Sequence, residues 1–191
     1  ASHSHPGEGL VSGSVGSPFA EALRSSLAKN SRIHAWQFRG TRRSGLQTYL
    51  VKTQLESERH TQNETYEVVV FVRHGDLLGR ASVQLSPADL GTIERRIDDA
   101  AYMASLGGDA PWELPAAGSW PRVEVFDPAL ADDQARATSQ AIVETWRATI
   151  AEHPEARPSS MELFCGEDWV TLENSAGLVA HANSTQVSLL S

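Results

Sequence analysis

The chain has 191 residues and a formal net charge of −8, with hydrophobic residues at 40% and charged residues at 21%, the balance of one ordinary folded domain. Its longest apolar run, Val68 to Val72, is the length of a strand and far below the ~20 residues of a membrane-spanning helix; no secretory leader opens the sequence, and no membrane partner is expected. Cys165 is the single cysteine, which excludes an internal disulfide and a cysteine-based zinc cluster and suits a reducing, cytoplasmic setting.

Residues 1–17, rich in Ser, Gly and His, have no hydrophobic period and read as a disordered tail. Ala1-Ser2-His3 could chelate Cu(II) or Ni(II) if Ala1 is a free terminus, although a processing or cloning remnant is the better account of it. Residues 18–191 read as a single α+β domain. Pro18 opens a helix carrying Phe19, Leu23 and Leu27 at i, i+4 and i+8, which ends near Asn30. Alternation then predicts strands over Arg32–Arg39, Leu46–Leu55, Asn63–His74 and Gly79–Leu85, with turns at Gly40–Gly45 and His74-Gly75-Asp76. Such short links predict antiparallel pairing.

Ser86-Pro87 with Asp89 three residues after the serine is a helix start, and Leu85 can staple against Leu90. The buried stripe of this helix is expected at Leu90, Ile93, Ile97, Ala101 and Ala104, with Gly107-Gly108 as the stop. An irregular linker follows over 109–121, then a short strand at Val123–Phe126 and a turn at Phe126-Asp127-Pro128. A second long helix is predicted from Ala131 to Glu152, with Ala135, Thr138, Ile142, Trp146 and Ile150 on one face and Asp132 and Asp133 at its positive end. His153-Pro154 ends it. Strands Met161–Cys165 and Trp169–Glu173 joined by a Gly166–Asp168 turn, the Asn174–Gly177 turn and a last strand from Leu178 complete the order. The expected architecture is a mostly antiparallel sheet with two long helices packed on one face and a shorter N-terminal helix. A chain that lacks Met at position 1 and runs out in a strand-like segment is expected to be part of a longer protein.

No zinc-peptidase, nucleophile-elbow, phosphate-loop or dinucleotide motif is present. The paired acids Asp98-Asp99, Asp132-Asp133 and Glu167-Asp168 fall on surfaces and turns, and Cys165 reads as a small buried hydrophobe rather than a nucleophile. No catalytic and no metal-binding residue is assigned, and the substrate-binding residues stay open. Asn174, Ser175 and Gly177 read as a structural turn, because Asn and Gly tolerate the positive φ of a tight hairpin. Charge is uneven: residues 24–60 hold eight bases and two acids, whereas Glu64 onward holds eight bases and 20 acids. With Trp36, Phe38 and Tyr49 among them, those bases could serve a module that binds nucleic acid or an acidic partner. The overall pI near 5.3 argues against a polyanion and for arginines that pair with acids of the same chain.

The capped helix from Leu85-Ser86-Pro87 to Leu106, the Phe126-Asp127-Pro128 turn, and Glu173-Asn174-Ser175-Ala176-Gly177 followed by Leu178–Leu190 resemble, in that order, the N-terminal domain of TldD/PmbA proteins. That family was named for modulating DNA gyrase and is regarded as bacterial and archaeal metallopeptidases. The resemblance covers about residues 30–191. In the active members of the family a zinc-binding H-E-x-x-x-H and a cysteine ligand lie after this domain, so the resemblance implies a parent that is either such a catalytic, TldD-like subunit or its inactive, PmbA-like partner; Cys165 lies before that place and does not match the ligand. The resemblance further implies no cofactor in this chain, zinc in the parent if that is the catalytic subunit, a dimer with a subunit of the same type, and a cleft that admits unfolded peptide, with this domain as a non-catalytic wall.

Overall fold

The computed structural model describes residues 17–118, 121, 123–131 and 134–191; the tail over 1–16, its metal-chelating triplet, and Asp132 and Asp133 lie outside the described residues. Helix α1 spans Pro18–Lys29, and Ser17, assigned to the tail by sequence, is its N-cap, accepting from the Ala20 N–H at 3.3 Å. Five strands follow in one sheet: β1 (Ala35–Val51), β2 (Gln54–His74), β3 (Leu77–Leu85), β4 (Ser160–Asn174) and β5 (Val179–Leu190). Their spatial order is β3-β2-β1-β4-β5, with every neighbouring pair antiparallel. Helices α2 (Ile93–Ala104) and α3 (Gln134–Glu152) lie between β3 and β4 in the chain. The class is α+β.

The strands are fewer and longer than the sequence suggests. The expected turn at Gly40–Gly45 is the middle of the 17-residue β1, and the expected turn at Gly166–Asp168 is the middle of the 15-residue β4. The glycines at both places serve close approach rather than reversal. Gly45 stands directly opposite Gly166; a Cβ on Gly45 would lie 2.7 Å from the Cys165 carbonyl oxygen, and one on Gly166 would lie 2.5 Å from that of Ser44. Gly40 likewise leaves room for the Tyr66 ring, whose Cε1 would be 2.7 Å from an added Cβ. The single reversal in this stretch comes at Lys52, with φ 53°, where the Lys52 N–H donates to the Ser159 carbonyl at 2.9 Å.

Because β1 is about 55 Å long at ~3.3 Å per residue, one sheet supports two separate cores. At one end α1 and α2 cover Phe38, Tyr66, Val68, Val70 and Leu85 with Leu23, Leu27, Ile93, Ile97 and Ala101. At the other, α3 meets Leu50, Met161, Leu163 and Cys165 through Ala135 and Val143. A third, smaller cluster joins Val69, Phe71 and Leu78 with Leu114 from the linker.

The capping signals at Ser86 hold: the Asp89 carboxylate accepts from the Ser86 N–H at 2.8 Å and from its hydroxyl at 3.0 Å. Yet Pro87–Thr92 winds as a 3₁₀ segment before the α-helix begins. The tighter turn shifts the phase, so Leu90 is 54% exposed while Ile93, Ile97, Ala101 and Ala104 are buried. For the same reason α2 has 12 residues, no more than α1. In α3 the buried row is Ala135, Ser139 and Val143, one position round from the expected stripe; Thr138, Ile142, Trp146 and Ile150 flank it half-buried. Small residues let α3 approach β1 closely enough for the Ser139 and Thr48 hydroxyls to share a buried hydrogen bond of 3.0 Å. Val123–Phe126 is no strand; this segment meets β5 through the Thr185 N–H to the Val125 carbonyl at 3.1 Å and the Asp127 N–H to Thr185 Oγ1 at 2.8 Å.

Two substitutions test this geometry by urea denaturation. Gly166→Ala should lower stability by about 2–3 kcal/mol, since backbone rather than a flexible side chain would have to move; a loss below ~1 kcal/mol would show that the crossing relaxes easily. Lys52→Gly should raise stability by about 0.5–1 kcal/mol by relieving the left-handed conformation, and a loss would mean that the lysine side chain outweighs that strain.

Candidate functional site

The Asn174–Gly177 turn is tied to three parts of the chain. Asn174 Oδ1 accepts from the N–H groups of Ala176 (2.9 Å) and Leu178 (3.1 Å). Gly177, at φ 90°, donates its N–H to the Asn174 carbonyl at 3.2 Å. Ser175 exchanges two bonds with Trp36 on β1: its N–H donates to the Trp36 carbonyl at 2.9 Å and its Oγ accepts from the Trp36 N–H at 3.1 Å. Asn174 Nδ2 donates to the Pro115 carbonyl at 2.8 Å. The buried asparagine thus meets its own turn with its oxygen and the linker with its nitrogen.

That last bond anchors one end of a strap over residues 109–115. The other end is held by a two-bond bridge, the Leu78 N–H to the Asp109 carbonyl at 3.0 Å and the Asp109 N–H to the Leu78 carbonyl at 3.2 Å. Between the anchors Trp112 stands edge-on to Phe71, their ring centres 4.8 Å apart. The strap and the sheet enclose an open hollow of about 630 Å³ whose wall includes Phe71, Leu78, Trp112 and Leu114, with His34, Arg73, Glu113 and Ser175 also lining it. Arg73 Nη2 lies 3.3 Å from His34 Nε2. None of His34, Arg73, Trp112 and Glu113 stood out in the sequence. The one available signal was a tryptophan beside proline in an otherwise irregular linker.

The basic segment is largely absorbed by the fold. Arg24 Nε donates to the buried Glu173 carboxylate at 2.8 Å, and Arg32 pairs with Asp98 at 2.8 Å. Arg43 Nε lies 3.0 Å from Asp168 Oδ1, an ion pair without hydrogen-bond alignment. Arg42 sits over the Trp169 ring at 5.3 Å, and Arg59 reaches Gln47 and Tyr49. Bonds from Arg32, then Asn30, hold the Asp98 carboxyl below its ordinary value. Cys165 is buried, and burial pushes its thiol up, away from the reactive thiolate. Among the described residues no three His, Cys, Asp or Glu side chains converge as metal ligands, and no helix is long and apolar enough to cross a membrane.

Among solved structures the chain is similar to TldE from Thermococcus kodakarensis, with a TM-score of 0.69 and 13% identity over 88% of this chain and 38% of that one. It is also similar to a proposed modulator of a DNA gyrase from Thermotoga maritima, at TM-score 0.68 and 11% identity over 90% and 38% of the two chains. A proposed modulator of DNA gyrase from Bacteroides thetaiotaomicron gives 0.61 and 19% over 90% and 39%. The resemblance to TldD/PmbA proteins is therefore carried by the fold. The chain spans a little under two-fifths of the length of these structures. No protein-family model and no curated protein matches it.

Tyr66 links α1 to the sheet: its hydroxyl donates to Glu64 Oε1 at 2.6 Å and lies 3.1 Å from Ser17 Oγ. Burial, then the bond to Glu64, push its phenol up from 10.0 to about 12. A pKa raised by folding means that the protonated phenol stabilises the fold fully below pH 10 and loses that contribution as pH climbs toward 12. The amount is on the order of 2 kcal/mol. In thermal melts Tyr66→Phe should decline less steeply than the parent chain across that window; equal slopes would mean that Tyr66 ionises as readily folded as unfolded.

Proposed function

We propose that the chain is the non-catalytic N-terminal domain of a TldD/PmbA-type metallopeptidase, where it forms part of the substrate-access cleft and of the interface with a second subunit. The observation that carries this is the fold: its likeness to three such structures extends over 88–90% of the chain while occupying under two-fifths of theirs. Alternation along β1 from Phe38 to Leu50 supports α2 and α3 sharing one sheet face; the 109–115 strap covers the other face at Phe71, and the rest of that face is left for neighbours. Residues 54–65 of β2 run beyond the last β3 partner, Leu85 opposite Tyr66, and β1 alone pairs them among the described strands. Such an edge can hold an extended peptide by main-chain bonds. Zinc does not suit the described residues, since Cys165 is packed among Leu50, Met161 and Leu163 and among those residues no three His, Cys, Asp or Glu side chains converge. The metal and its chemistry then fall to the remainder of the parent protein if that is a catalytic subunit, and to the second subunit if the parent is the inactive partner; the setting of this reading is cytoplasmic.

A module that binds nucleic acid or an acidic partner through residues 24–60 is the alternative. It is weakened by the engagement of five of those eight bases with acids, amides or rings of the same chain. Metal analysis and hydrolysis of an unfolded peptide separate the ideas when combined with a salt-titrated DNA-binding assay. The chain alone should carry no stoichiometric zinc, cleave nothing, and lack salt-sensitive DNA affinity at physiological ionic strength. Chelator-sensitive peptidase activity from the chain alone would overturn the first reading, and a steep salt dependence of DNA binding would favour the second.

A further inference from the structure

We propose that the hollow under the 109–115 strap is a binding site for a free aromatic or large aliphatic α-amino acid in its zwitterionic form. This stands apart from the parent-protein reading, because it rests on the lining alone. The floor is apolar: Phe71 is buried, Leu78 is buried and Leu114 half-buried, while Trp112 stays 48% exposed although its ring already touches Phe71. A second flat or bulky side chain laid on Trp112 would remove apolar surface that the strap leaves wet. Around this floor stand one guanidinium, Arg73, one carboxylate, Glu113, and the imidazole of His34.

Charge decides among occupants. Among the described residues neither Arg73 nor Glu113 has an ion-pair partner, and beyond the contact of Arg73 Nη2 with His34 the guanidinium keeps further N–H groups for a ligand. A purely apolar ligand would use neither. A phosphate ester could stack on Trp112 and meet Arg73, but its double charge would then lie in the same small hollow as Glu113. An α-amino acid offers opposite charges on one carbon, a carboxylate for Arg73 and an ammonium for Glu113, together with a side chain for the floor. A volume of about 630 Å³ admits a phenylalanine-sized molecule with some water, within the range of small-molecule sites. The anchors at Leu78–Asp109 and Asn174–Pro115 hold the strap in place beforehand, which limits the ordering cost of binding.

The test is a titration of the 191-residue chain with L-phenylalanine, N-acetyl-L-phenylalanine and L-phenylalanine amide. Calorimetry gives affinity, and the Trp112 indole N–H resonance, assigned with Trp112→Phe, gives location. L-phenylalanine should bind and shift that resonance, while each derivative, lacking one charge, should bind about 5-fold more weakly or worse. Arg73→Gln should weaken L-phenylalanine and the N-acetyl compound but not the amide; Glu113→Gln should weaken L-phenylalanine and the amide but not the N-acetyl compound. Both side chains are exposed, so a thermal melt serves to check that the variants keep the fold. Equal affinity for N-acetyl-L-phenylalanine would overturn the proposal in favour of a peptide's carboxyl-terminal residue, and equal affinity for the amide would do so in favour of an amino-terminal one. No shift of the Trp112 resonance would overturn it outright.

Discussion

The close approach of β1 and β4 at Gly45 and Gly166 governs how the rest of this domain is arranged. Side chains at either position would push the backbones apart at the middle of both strands, where 15 register pairs run without a break from Gln37–Asn174 to Val51–Ser160. Keeping that ladder continuous lets β1 extend far enough to carry one core near Phe38 and another near Leu50. Between the two lies a belt of partly buried polar residues, Arg42 and Ser44 on β1 with Thr171 and Trp169 on β4. The α1–α2 pair and α3 each close their own end. A shorter β1 would leave one of these helical caps without an apolar floor.

The elements legible in the sequence were those specified by a few adjacent residues. Ser86, Pro87 and Asp89 announce their cap because its bonds span three positions, and Gly75 announces the β2–β3 reversal because φ 59° favours glycine. What escaped depends on partners far away in the chain. Gly40, Gly45 and Gly166 look like turn residues until their cross-strand neighbours are known, since an absent Cβ can serve a bend or a close contact equally well. Ser139 looks like a surface residue until Thr48 is found beside it. The hollow was hidden for the same reason: His34 and Arg73 meet only where the chain entering β1 pairs with β2, and the strap then adds Glu113.

Charge follows a similar logic. The excess of bases over 24–60 and of acids afterwards has the look of a binding surface along the sequence, yet it is largely complementarity within one fold. Arg24 reaches Glu173 across 149 positions and Arg32 reaches Asp98 across 66. The Arg24 pair matters most, because Glu173 is buried and a carboxylate left there without its guanidinium would carry a desolvation cost of several kcal/mol. The exposed Arg32–Asp98 pair contributes little by comparison.

Asn174 connects this scaffold to the hollow. Its oxygen is committed to the Ala176 and Leu178 N–H groups, so its nitrogen has one direction left, and that direction meets Pro115. Proline brings no N–H of its own to the strap, and its carbonyl is free to accept. The turn therefore holds the linker as a by-product of satisfying itself, and Ser175, bonded to Trp36, keeps the turn against β1. A residue that reads as purely structural in the sequence thereby controls how far the strap stands from Phe71, and with it the width of the space that Trp112 offers to a ligand.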